Sequence, residues 1–289
     1  MVFIEYDVDN APNGRLYRWW AAFNGTLATL PLVMLDSGNA ISYGSVSYYN
    51  TYKAMVNTAL GRQAQAEIQA YWQRAGDRAR IYAQVKNLSG VTLSTGNSAA
   101  IHVIVYEDAH IKLTDRYGWT AVESSIASLA QGATGTYLLE TPDLTGVDWE
   151  QLHFIVLVDY LPMGSTGAYD MLQAAEALPA ATLFDARPGS YTFLVEPEDL
   201  TIPALFVTFQ GAGFASWEAD TSTPWVDVAP GSGPLNETAV VSAVKGSLAS
   251  GWQQGSVTFS TPDGLLSDTV SLRAYLGPLK RTYLPLTRR

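Results

Sequence analysis

Hydrophobic and polar positions follow two different periods along this chain. In the first 60 residues, short apolar runs alternate with helical spacing. Residues 2–8 are an apolar run bounded by Asp7, Asp9, Asn10, Pro12 and Gly14, which predicts a strand and a loop. Leu16, Trp19, Trp20 and Phe23 then recur at i, i+3, i+4 and i+7, the spacing of a helix over 15–24. Leu32-Val33-Met34-Leu35 predicts another short strand, closed by the turn Asp36-Ser37-Gly38, with Ala40-Ile41 as a hairpin partner. Tyr48, Tyr49, Tyr52, Met55, Val56, Ala59 and Leu60 predict an amphipathic helix over 46–60, with Ser45 or Ser47 as its N-cap.

From about residue 65 the period shortens to two. Residues 66–74 fit a helix through Ile68 and Trp72, and equally a strand through Ile68, Ala70 and Trp72. The following Gly76-Asp77 and the alternating Ala79, Ile81, Ala83 and Val85 favour a hairpin. Strands are predicted at 102–107, 134–140 and 152–160, with 124–131 as a connector. Residues 163–189 read as a linker, flexible through Gly164 and Gly167, with one short helix over 169–178. Beyond it, strands are expected at 191–195, 205–209, 217–220, 225–228, 239–244, 256–260 and 269–276. Strands at this spacing, separated by Gly, Asn and Ser turns, predict β-sandwiches. The expected fold is mostly β with an N-terminal α/β segment, divided as 1–63, 64–162, a linker 163–189, 190–279 and a tail 280–289.

Composition narrows the function classes. Hydrophobic residues make up 47% of the 289 residues, too many for a disordered chain. The 27 acidic and 17 basic residues leave a net charge of −10, which argues against a nucleic-acid partner. No apolar run reaches the roughly 18 residues of a helical membrane span. The absence of Cys excludes disulfides, thiol redox chemistry and Cys-based zinc sites within the sequence. Low charge with abundant Gly, Ser, Thr and aromatics fits an extracellular or cell-surface protein. No signal peptide opens the sequence, and an opening directly into Val2-Phe3-Ile4 suggests that a segment precedes Met1.

Several stretches resemble known modules. The order β, α, β, α, with Pro31 in Thr29-Leu30-Pro31 just before a strand, resembles the C-terminal half of a thioredoxin-like domain. That resemblance implies a cis peptide before Pro31 and a Cys-x-x-Cys in an earlier β-α unit that this sequence does not contain. Val85-Lys86-Asn87, Val103-Ile104-Val105-Tyr106, Ser128-Leu129-Ala130-Gln131-Gly132 and Val156-Leu157-Val158-Asp159 resemble bacterial extracellular immunoglobulin-like modules. Phe214-Ala215-Ser216-Trp217, Thr223-Pro224-Trp225-Val226-Asp227-Val228, Pro230-Gly231-Ser232-Gly233 and Gly251-Trp252-Gln253-Gln254-Gly255-Ser256-Val257-Thr258 resemble the BACON family of small β-sandwiches. That family is often attached to carbohydrate-active enzymes of Bacteroidota and implies carbohydrate or mucin binding, without a settled binding motif. Tyr283-Leu284-Pro285-Leu286 resembles the Y-L-P-L tails of secreted Chloroflexota proteins.

Candidate chemistry is sparse. His102, His110 and His153 are isolated and lack metal-ligand spacing. Asp7, Asp9, Asn10 and Asn13-Gly14 fail the calcium-loop pattern. Glu107-Asp108 and Glu196 with Glu198 read as solvated pairs in turns, with nothing aiming them at a shared cleft. No metal and no cofactor are expected. Aromatics carry more, because exposed Trp and Tyr stack on sugar rings. Trp217, Trp225 and Trp252 are the candidates. By alternation, Val226 and Val228 in the core would turn Trp225 outward, whereas a core Trp225 would take Asp227 with it. Trp252, beside Gly251 and Gln253-Gln254, has a turn-like setting. Most Trp in a sandwich are core, so packing stands beside binding as a role. The expected function is non-catalytic binding of a glycan or cell-surface polymer. Two alternatives stand beside it: a redox protein with its catalytic half upstream of Met1, and self-association through the tail.

Overall fold

The computed structural model describes residues 4, 18, 32–43, 48–111, 114–165, 167–213 and 215–279. Pro31, the loop at 7–14, the helix expected at 15–24 apart from Arg18, and the tail 280–289 lie outside them. The chain is mostly β and divides into two compact units, Met1–Ala180 and Ala181–Arg289. Among the described residues no helix is long and apolar enough to cross a membrane.

The first unit opens with an antiparallel hairpin, β1 (Leu32–Leu35) and β2 (Ala40–Tyr43), followed by helix α1 (Tyr48–Leu60). The Asp36-Ser37-Gly38 turn joins the two strands. A sandwich follows. One sheet contains β3 (Ala66–Ala75), β4 (Arg78–Asn87), β9 (Thr134–Glu140) and the two-residue β12 (Leu178–Pro179), in the order β12-β3-β4-β9. The other contains β6 (Ala100–Ile111), β7 (Thr114–Ser125), β10 (Leu152–Tyr160) and β11 (Asp170–Glu176), in the order β11-β10-β6-β7. Short strands β5 (Leu93–Ser94) and β8 (Ser128–Leu129) pair separately. Ile81, Ala83 and Val85 of β4 share one buried core with Val103 and Val105 of β6 and with Phe154, Val156 and Val158 of β10.

The continuous apolar run of β10 has a physical reason. Its alternate residues Ile155 and Leu157 are also buried, packed with Ile104 and Tyr106 of β6 and with Ile4. A strand covered on both faces needs no polar alternation. Arg18 reaches the same face, where its guanidinium donates to the Asp159 carboxylate. Ile4 and Arg18, the two described residues before Leu32, therefore both lie on this second buried face. Arg62, just after α1, bonds Asp36 and Asp170, tying the hairpin to the start of β11.

Two expectations are corrected here. The segment read as a short helix over 169–178 is strand. Leu172 of β11 joins the sandwich core while Met171 and Ala174 pack on the opposite face. Pairing with β10 thus overrides a helical spacing that is weak by itself. Residues 163–189 are therefore not a free linker, since they supply strands to both units. Strand β7 was not anticipated. Its register against β6 shifts at Trp119, because Val105 pairs with Thr120 and Tyr106 with Gly118. Such a bulge resets the alternation that identifies a strand.

The second unit is also a sandwich. Strands β13 (Asp185–Arg187), β15 (Leu205–Gln210), β17 (Val226–Ala229) and β19 (Ala239–Ala243) form a sheet in the order β13-β15-β19-β17. The facing sheet has five strands, β14 (Ser190–Val195), β16 (Ser216–Asp220), β18 (Ser232–Pro234), β20 (Gly251–Ser260) and β21 (Ser267–Leu276). Its order is β14-β21-β20-β16-β18, with β14 parallel to β21 and the other pairs antiparallel. Phe209, Trp217 and Phe259 pack as an interior aromatic cluster, Phe209 stacked on Trp217 at 4.5 Å between centroids.

Candidate functional site

The three candidate tryptophans separate by burial. Trp217 is fully buried, and its indole N–H donates to the Pro234 carbonyl at 3.0 Å. Trp225, expected to point outward if the two valines are core, is buried as well. The reason is local. Trp225 precedes β17 in a turn, so strand alternation does not govern it, and Val226 is buried beside it while Asp227 stays exposed. Room for its ring comes from Gly255 on β20, where an added Cβ would lie 2.8 Å from the Trp225 ring. Gly233 has the same relation to Trp217, at 3.0 Å. Trp217 and Trp225 therefore belong to the core and are not available for stacking on a ligand.

Trp252 differs. It is 63% exposed, and its strand explains why. Val257 and Phe259 of β20 face the core, so Trp252, Gln254, Ser256 and Thr258 face outward. On β21 the buried Val270, Leu272 and Ala274 turn Ser271, Arg273 and Tyr275 to the same outer face. On β14 the buried Phe193 and Val195 do the same for Thr192 and Leu194.

Register assembles these side chains into rows across the three strands. Leu194 pairs with Tyr275, and Tyr275 with Trp252. The Trp252 and Tyr275 rings are 5.2 Å apart and inclined at 49°. The next row is Thr192, Arg273 and Gln254, and the one after is Ser190, Ser271 and Ser256. Thr258 and Thr269 continue the polar surface, their hydroxyls 3.1 Å apart. Trp252, Gln253, Gln254 and Arg273 line an open depression of about 370 Å³. The face thus offers a strip of apolar rings bordered by amide, hydroxyl and guanidinium groups. Sequence reading found Trp252 but missed Tyr275, Arg273 and Leu194. The alternation of β21 already marked Arg273 and Tyr275 as outward, but only the register puts them beside Trp252.

A second polar cluster lies inside the first unit. The Asp159 side chain is fully buried, and its Oδ1 lies 3.0 Å from His102 Nε2 and within reach of Arg18 Nη2 and Nε at 2.6 and 3.2 Å. His102 Nδ1 faces Glu123 at 3.3 Å. Burial pushes the Asp159 carboxyl up, but the His102 hydrogen bond and charge, with those of Arg18, outweigh it and hold the group well below the usual carboxylate range. Both ring nitrogens of His102 face carboxylates of this cluster, so neither is directed at a nucleophile. The cluster is built to hold the second buried face together.

The other candidates are dispersed. His153 Nδ1 lies 2.6 Å from Glu176 and its ring stacks on Tyr106, while the side chain of His110 is outside the described residues. Glu107, read as solvated, is buried on β6 and accepts from the Trp119 indole at 2.6 Å. Among the described residues no group of three or more His, Asp or Glu is placed to hold a metal ion.

The fold and this face define a β-sandwich protein carrying an exposed strip of aromatic and hydroxyl side chains on one sheet. No family model matches the sequence, and no curated protein matches it. Solved structures give distant matches. A domain of the outer membrane lipoprotein Omp28 from Porphyromonas gingivalis is 16% identical, covering 41% of this chain and 92% of that one at a TM-score of 0.25. The sialic acid binding region of a Streptococcus sanguinis adhesin is 8% identical, covering 73% and 77% at 0.25. A titin fragment is 8% identical, covering 75% and 100% at 0.23. Likeness at this level lends the chain neither a relative nor a function.

Proposed function

We propose that this chain is a non-catalytic binding protein of the cell surface or extracellular space, and that it takes glycan on the outer face of β14, β21 and β20. One observation carries the reading: Trp252 stands exposed beside Tyr275, in a row completed by Leu194, with Thr192, Arg273 and Gln254 along its edge. A pyranose has an apolar face of C–H groups and a rim of hydroxyls. A ring strip takes the first, and amide, hydroxyl and guanidinium groups take the second. The low charge of the sequence, with its abundant Gly, Ser, Thr and aromatics, agrees with that setting.

The finer family readings belong to the same proposal. The first sandwich is read as immunoglobulin-like and the second as BACON-like. In support, the residues quoted for those resemblances have definite structural tasks. Trp217 and Trp225 fill the second core against Gly233 and Gly255. Asn87 bonds the Leu129 carbonyl, and its own backbone N–H and C=O pair with Ala133 and Gly132.

The test is binding of the full chain to a broad glycan array, followed by titration of any hit. Trp252→Ala is expected to weaken binding about tenfold, the loss of one stacking contact. Because Trp252 is exposed, the same change should leave stability within about 0.5 kcal/mol. A blank array with intact, folded protein would sink the reading.

A further inference from the structure

The charge on the same face specifies the ligand further. This inference rests on the glycan-binding reading above and names the class of sugar. Arg273 is exposed, lines the depression with Trp252 and Gln254, and sits between Thr192 and Gln254 in its cross-strand row. Neither neighbour in that row is acidic. Arg18, Arg62, Arg74, Arg78, Arg116 and Arg187 each have a carboxylate within 4 Å. Arg273, like the half-buried Arg80, has no such partner among the described residues, and of the two Arg273 is the exposed one, in a chain whose acidic residues outnumber the basic by 27 to 17. A guanidinium presents five N–H donors in a planar fork that matches carboxylate and sulfate oxygens two at a time. Next to two aromatic rings, that fork can hold the acidic group of a sugar whose ring lies on Trp252.

We propose that the platform selects glycans bearing an anionic group, carboxylate or sulfate, held by Arg273. The net charge of −10 adds a further constraint. A densely charged polymer is repelled by the protein as a whole within about a Debye length, roughly 8 Å at physiological salt. The fitting ligand therefore carries isolated acidic sugars in an otherwise neutral chain.

The experiment uses the full chain on an array holding neutral oligosaccharides, the same oligosaccharides capped with a carboxylated sugar, and their sulfated forms. The wild type, Arg273→Gln, Arg273→Lys and Trp252→Ala are compared, with circular dichroism confirming each fold. The expected result is preference for acidic over neutral forms of one backbone. Arg273→Gln should remove that preference, lowering affinity for the acidic form about tenfold or more. Arg273→Lys, which keeps charge but not the fork, should fall between. The carboxylated and sulfated sets show which group is the natural one. Equal binding of neutral and acidic forms, or no effect of Arg273→Gln, overturns this inference. If Trp252→Ala still weakens binding in that case, the glycan reading survives alone. Binding that neither variant changes, or no binding, overturns both.

Discussion

Removing the Arg18 guanidinium tests whether the second buried face of the first unit is held by charge. Arg18 donates through Nη2 and Nε to the fully buried Asp159, donates from Nη2 to the Ser98 carbonyl at 2.7 Å, and lies over the Tyr169 ring at 3.9 Å. Arg18→Met keeps much of the apolar stem but leaves a buried carboxylate with His102 as its remaining partner. Breaking one side of a buried pair costs about 3–5 kcal/mol. Set against a domain stability of about 5–15 kcal/mol, the loss is large. It should also depend on pH with a definite sign. The Asp159 carboxyl is depressed in the folded state, so it contributes stability above the ordinary carboxylate range, near pH 4, and that contribution fades as pH falls below it. The difference between wild type and Arg18→Met should therefore be full at pH 7 and shrink below about pH 4. Because the chain has two units, a single melting curve is ambiguous. Hydrogen exchange after equilibration in urea, read by mass spectrometry on peptides from Leu152–Tyr160, localises the effect. A loss below about 1 kcal/mol at pH 7, or an equal loss at pH 3 and pH 7, would refute the reasoning.

Two other perturbations probe the cores. Asn87 is fully buried; its Nδ2 donates to the Val91 and Leu129 carbonyls, and its Oδ1 accepts from the Ser89 N–H and hydroxyl. Asn87→Ala orphans several of these groups and should cost the first unit about 2–4 kcal/mol, measured as a lower urea midpoint; a change under about 0.5 kcal/mol would mean that water replaces the amide freely. Gly255→Ala places a Cβ 2.5 Å from Thr223 Cγ2 and 2.8 Å from Trp225. It should destabilise the second unit by about 1–3 kcal/mol and alter the near-ultraviolet signal of Trp225, while glycan binding persists below the melting temperature. An unchanged melting temperature would show that the Trp225 turn yields without strain.

Much of the β architecture was legible because a strand's alternation is local. Ala79, Ile81, Ala83 and Val85 place β4 on their own, and the apolar runs at 134–140 and 152–160 coincide with β9 and β10. The hairpin and helix at 32–60 likewise follow from short-range spacing and one turn. Local pattern failed where the backbone departs from a regular strand. The bulge at Trp119 hid β7, and the turn before β17 misled the alternation argument for Trp225.

Other features are decided by residues far apart in sequence, which no local period encodes. Asp159 and Arg18, separated by 141 positions, become an ion pair only when Arg18 reaches the face of β6 and β10. Residues 170–176 become strand because β10 offers them an edge and both of their faces gain cover. At the candidate site the sequence by itself determined that Trp252 was eligible to meet a ligand and that Arg273 and Tyr275 alternate outward. That Tyr275 lies beside Trp252, that Leu194 extends their row and that Arg273 stands at its edge was decided by the register of β14, β21 and β20, since pairing alone converts positions in three separate segments into one surface.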